Sequence, residues 1–131
     1  MKDTNLHPAN KNQILYVEDD RMIWEGALIM LREAFPNYKV IIATSESRVE
    51  EQIDIGVISL EHVAIVCTDG SLAEFSTGWD VMERLRSLSY TGPALYIGAT
   101  PLPADKEHLY SGTCNKLDGI VESILEYLVE K

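Results

Sequence analysis

Acidic residues stand at two places in this chain where an apolar run stops. The run ILYV, residues 14–17, ends in Glu18, Asp19 and Asp20, and the run VAIVCT, residues 63–68, ends in Asp69. If the two runs are neighbouring strands of a parallel sheet, Glu18, Asp19 and Asp69 share one crevice, because open α/β sheets bind ligands beyond the carboxyl ends of their strands. Three carboxylates that close repel one another unless a cation lies among them. Mg²⁺ answers that need, since it accepts a few carboxylate or carbonyl oxygens and keeps several waters. Such a site suits phosphoryl transfer, which asks for positioning and for neutralised charge on the equatorial oxygens, so a metal and one lysine suffice. Lys116, just before the last helical pattern, is the candidate lysine. Asp20 also reads as the N-cap of the helix that follows.

The elements that must position these groups alternate between short β-rich runs and longer segments of helical period, the pattern of βα units on a parallel sheet. Residues 14–17 form the first strand, apolar throughout as a strand buried on both faces must be. Ile23, Ala27, Leu28, Leu31 and Phe35 give a helix that Pro36 stops. Residues 38–43 make the second strand, and Thr44 and Ser45 are candidate caps for a charged helix over 46–53. The stretch 54–61 is ambiguous, 63–68 is the third strand, and a helix over 79–87 turns Val81, Met82 and Leu85 inward. A turn at 90–93 leads to a fourth strand at 94–97. Beyond Gly98 the pattern degrades: Pro101 and Pro103 leave only a short helical candidate at 104–110, and a fifth strand has to fit near 112–115. A final helix over 117–129 lines one face with Ile120, Val121, Ile124, Leu125 and Leu128.

The sequence resembles the receiver domains of two-component response regulators, CheY-like and atypical, over nearly its whole length. ILYVEDD looks like the family's first strand and acidic pair, VAIVCTDGSLAEFSTGWDVMERLR like its phosphoacceptor strand, loop and third helix, PALYIGA like its fourth strand, and NKLDGIVESILEYL like its lysine and last helix. The resemblance implies a flavodoxin-like (βα)5 fold with parallel order 2-1-3-4-5, shortened around helix four and strand five. It implies Asp69 as phosphoacceptor, Lys116 as the catalytic lysine, and Mg²⁺ held by Glu18, Asp19, Asp69 and the Ser71 backbone carbonyl, with Gly78 opening the third helix. The function implied is acceptance of a phosphoryl group from a histidine kinase or histidine phosphotransfer protein, and signalling to a downstream protein target. Enzymatic action would extend no further than self-phosphorylation from small donors and autodephosphorylation.

Two switch positions depart from the family. Where it has Thr or Ser at the end of strand four this chain has Gly98, and the aromatic position on strand five falls on Thr113. Thr100 carries the next hydroxyl, two residues and roughly 6.6 Å further along an extended strand. Ala73 and Leu117 replace two prolines usual in the family. These departures motivate an alternative, a pseudo-receiver acting as a phosphorylation-independent interaction module. A haloacid-dehalogenase-type phosphatase would need a second aspartate where Cys67 and Thr68 precede Asp69, and a flavodoxin would need a phosphate-binding loop where strand one ends in acids.

Composition agrees with one soluble domain. At 131 residues the chain is one domain in size, read as a flexible lead over 1–12 and the receiver over 13–131. A net charge of −10 repels a nucleic-acid backbone, so direct nucleic-acid binding is not expected. No apolar run nears the roughly 20 residues a bilayer span takes, and no signal peptide opens the chain. Cys67 and Cys114 read as reduced thiols of a cytoplasmic protein, and His7, His62 and His108 share no spacing that suggests a base or ligand. Trp24 and Trp79 read as aromatic residues packed partly against the core. Self-association into a homodimer is compatible with all of this.

Overall fold

The computed structural model describes residues 11–114 and 119–128. Strands β1 (Gln13–Val17), β2 (Lys39–Ala43), β3 (Val63–Thr68), β4 (Ala94–Tyr96) and β5 (Gly112–Thr113) form one sheet in the order β2-β1-β3-β4-β5. Every pairing is parallel. Helices α1 (Arg21–Ala34), α2 (Glu46–Asp54), α3 (Gly78–Ser87) and α4 (Ile120–Leu128) flank the sheet. The doubly wound order expected from the sequence is therefore the one observed.

β1 and β3 are buried at every position, as continuous apolar strands are when helices cover both faces. Strand alternation divides their side chains. Leu15 and Val17 pack with Val49, Val81, Met82 and Leu85 of α2 and α3, while Ile14 and Tyr16 pack with Ala27, Leu31, Ile120, Ile124 and Leu128 of α1 and α4. Leu125 corrects the expected face of the last helix: it is 43% exposed, one step round from the Ile120, Ile124, Leu128 stripe.

Local chemistry sets the helix starts. The Asp20 carboxylate accepts from the Met22 N–H at 3.0 Å and caps α1, Ser45 accepts from the Arg48 N–H at 3.2 Å and caps α2, and Thr77 and Asp80 form a capping box at α3. The degraded region after β4 holds a 3₁₀ turn, Ala104–Leu109, in place of a fourth full helix. Prolines 101 and 103 deny it the donors that a longer helix needs. Its far end is tied by Arg86, whose guanidinium donates to the carbonyls of Tyr90, Gly92 and Leu109 at 3.0, 2.8 and 2.8 Å.

At one edge of the sheet the Gln52 amide donates to the Ile42 carbonyl of β2 at 3.3 Å, and at the other β5 is only two residues long. Both cysteines are free thiols, and burial pushes Cys67 well above its ordinary range. Trp24 and Trp79 are partly buried against the two core layers. Among the described residues no helix is long and apolar enough to cross a membrane.

Candidate functional site

Strand register brings the acids together. Val17 pairs with Thr68, and Thr68 with Tyr96, so the residues that follow each strand leave the sheet side by side. The backbone fixes these exits: Glu18 N–H donates to Ala43 at 3.0 Å, Asp69 N–H to Val17 at 2.9 Å, and Ile97 N–H to Thr68 at 2.8 Å. Glu18, Asp19 and Asp69 then each present a carboxylate oxygen, all within 4.8 Å of one another. Glu18 is fully buried, Asp69 nearly so, and Asp19 is exposed. The Asp20 N–H donates to Glu18 Oε2 at 3.1 Å and the Gly70 N–H to Asp69 Oδ1 at 2.7 Å, so backbone donors aim both buried carboxylates. Three hard oxygens at this spacing, with one side open to solvent, fit an octahedral Mg²⁺ that keeps part of its water.

The loop after Asp69 is shaped by close packing. Gly78, first residue of α3, has no room for a side chain: a Cβ there would overlap the Asp69 carbonyl oxygen and stand 2.9 Å from Thr68 Cβ. Ser71, exposed, bridges to Thr77 across the loop. Between them Glu74 and Phe75 both adopt left-handed backbone, with φ of 62° and 61°, and Phe75 is fully exposed. The Ala73 N–H donates to the Thr44 carbonyl at 3.0 Å and the Ser47 hydroxyl to Glu74 at 2.5 Å, binding this loop to the start of α2. Hydrogen bonds from the Ser47 and Ser45 hydroxyls hold the Glu74 carboxyl below the usual range.

Solved structures share this arrangement of chain. The response regulator TrrA of Thermotoga maritima, in complex with Mg²⁺–BeF, matches with a TM-score of 0.71 at 17% identity, covering 89% of this chain and 99% of its own. A CheY-like receiver domain from Methylobacillus flagellatus matches at 0.64 and 18% identity, covering 86% and 98%. A two-component response regulator from Legionella pneumophila matches at 0.67 and 20%, covering 89% and 95%. The chain has the receiver fold. At these identities the likeness is one of fold, and no protein-family model and no curated protein sequence matches the chain.

Within the receiver fold the remaining expected residues fall in different places. Lys116 lies outside the described residues. Thr113, at the end of β5, is exposed. Gly98 follows β4 beside the acids, and what fills the space above it is Tyr96: a Cβ on Gly98 would overlap the Tyr96 hydroxyl, stand 2.6 Å from Tyr96 Cζ and 2.8 Å from the Gly70 nitrogen. The Tyr96 ring packs edge-on against Tyr110 at 5.4 Å between centroids and tilted against Trp79 at 6.3 Å. Tyr110 Oη lies 2.5 Å from Thr68 Oγ1. Sequence reasoning missed Tyr96 and Tyr110 as site residues; the signal was Gly98 itself, two residues after Tyr96 and so on the same face of the strand.

Gly98→Thr is therefore expected to destabilise the protein by about 1–3 kcal/mol, the usual cost of forcing extra atoms into a filled space. In a Tyr96→Leu background the same change should cost much less. Urea unfolding of the four proteins of this cycle measures the coupling, and additive effects would show that Tyr96 is not the obstacle.

Proposed function

We propose that the chain is a phosphoacceptor receiver that binds Mg²⁺ at Glu18, Asp19, Asp69 and the Ser71 carbonyl and takes a phosphoryl group on Asp69. The observation that carries this reading is the convergence of three carboxylate oxygens within 4.8 Å at the carboxyl ends of β1 and β3. An oxygen of the Asp69 carboxylate attacks the phosphorus of a phosphohistidine on a histidine kinase or phosphotransfer protein. The P–N bond breaks, its electron pair leaves with the imidazole nitrogen, and that nitrogen takes up a proton. The Gly70 N–H, 2.7 Å from Asp69 Oδ1, holds the nucleophile in place. Bound Mg²⁺ supplies charge neutralisation for the phosphoryl oxygens, a role that Lys116 shares. Output then passes through protein contacts to a downstream target. That TrrA was solved with Mg²⁺–BeF supports the same chemistry here.

Incubation with acetyl phosphate and Mg²⁺ followed by intact-mass measurement tests the reading: one acid-labile phosphoryl group is expected. Gly98 and the exposed Thr113 favour the alternative, a phosphorylation-independent interaction module, for which no label forms.

Metal binding is checked separately. Mg²⁺ binds the folded site and not the unfolded chain, so it should raise the melting temperature of the wild type as its concentration increases. Asp19→Asn relieves repulsion in the cluster, so without metal it should melt at or above the wild-type temperature, with most of the Mg²⁺ response gone. Equal Mg²⁺ shifts in both proteins would remove Asp19 from the ligand set.

A further inference from the structure

The Tyr96 side chain is 3% exposed, and its hydroxyl ends against Gly70, the residue after Asp69. It occupies the space where side chains on both Gly70 and Gly98 would begin, for a Cβ built on either residue overlaps it. Gly70 is the residue after Asp69, and its N–H is bonded to Asp69 Oδ1 at 2.7 Å. The same Gly70 nitrogen lies 2.8 Å from the Cβ position of Gly98 that the phenol fills. The Tyr96 hydroxyl and the Gly70 nitrogen thus both border that one Cβ position, so the phenol stands next to the amide that holds Asp69 Oδ1. In the structure the Tyr96 hydroxyl donates to the Thr100 carbonyl at 2.6 Å.

We propose that Tyr96 is the hydroxyl donor to the phosphoryl group in this chain, an inference that rests on Asp69 being the phosphoacceptor. A phenol has one O–H to give. Donation to a phosphoryl oxygen takes it from the Thr100 carbonyl and releases the segment 98–103, whose first residue, Gly98, has no side chain to hold it. The charge-assisted bond to the phosphoryl oxygen is the stronger of the two, which sets the direction of the exchange. The ring of Tyr96 carries the change to Tyr110 through their edge-on contact, and Tyr110 in turn holds Thr68, next to Asp69. Glycine at 98 is then the condition for the device, since any side chain there would take the place of the phenol.

The test is beryllofluoride with Mg²⁺ on the full chain, read by amide resonances, with Tyr96→Phe as the variant because it keeps the ring and removes only the O–H. In the wild type, residues 69–71 and residues 98–110 should both shift. In Tyr96→Phe, residues 69–71 should still respond, and the response of Thr100 and Tyr110 should fall by more than half. Without any ligand, the Thr100 amide of Tyr96→Phe should already sit near its position in the beryllofluoride-bound wild type, because the bond to its carbonyl is gone in both. A wild type in which 69–71 respond and 98–110 do not, or a Tyr96→Phe protein that responds in full, overturns the inference and leaves the phosphoacceptor reading standing. No response anywhere in the wild type overturns both.

Discussion

Asp69→Asn is expected to abolish phosphoryl labelling by acetyl phosphate or a phosphohistidine donor while leaving the protein folded. The amide matches the carboxylate in shape but has no anionic oxygen to attack phosphorus. Folding should survive because Asn keeps a carbonyl oxygen that can accept from the Gly70 N–H, the bond that orients Asp69. Stability without metal should rise. Glu18 and Asp69 are both buried and place oxygens within 4.8 Å, and two like charges at that range repel by roughly 3.5 kcal/mol at an effective dielectric near 20. Intact-mass measurement after labelling and thermal melting in a metal chelator read the two effects. A label that persists in the variant would move the acceptor to another residue.

Gly78→Ala is expected to be the most damaging single-methyl substitution near the site. In an open helix position alanine is better than glycine by roughly 0.5–1 kcal/mol, so propensity alone predicts a gain. Here the added Cβ would overlap the Asp69 carbonyl oxygen and stand 2.5 Å from Thr68 Oγ1 and 2.9 Å from Thr68 Cβ. A backbone carbonyl cannot swing aside as a flexible side chain does, so α3 has to back away from β3. Overpacking of this kind costs about 1–3 kcal/mol or more, which exceeds the propensity gain and sets the sign. Because the obstructing atom belongs to Asp69, labelling should also slow. Urea unfolding together with the rate of labelling by acetyl phosphate checks both, and a variant as stable and as fast as wild type would show that the loop yields freely.

Much of the fold was legible because its central strands are extreme. ILYV and VAIVC are apolar without interruption, a pattern that fits strands buried on both faces, and acids stand just beyond both. Placing Glu18, Asp19 and Asp69 in one crevice needed only the assumption that these strands are neighbours, and the register bears it out. The last helix was readable from its stripe, except that Leu125 belongs to the outer face. What could not be read was the course of the chain beyond Gly98. The helical candidate there became a 3₁₀ turn under two prolines, and its end at Leu109 is held by one bond from Arg86, a residue on another element that no local pattern connects to it. Tyr96 was hidden for a related reason. In sequence it is one more apolar position of a buried strand, and only the fold brings its hydroxyl over Gly98 and Gly70 to the Thr100 carbonyl.

The two borders of the sheet bear on how the protein behaves when crowded. An exposed strand is a template for polymerisation, since its outward N–H and C=O groups invite another chain to continue the ladder. On the β2 border the Ile42 carbonyl already accepts from Gln52, and on the β5 border the ladder lasts two residues, Gly112 and Thr113. An incoming strand thus meets an occupied acceptor on one side and too short a rail on the other. Both features discourage a second copy from continuing the sheet, the route by which a chain grows into a fibre.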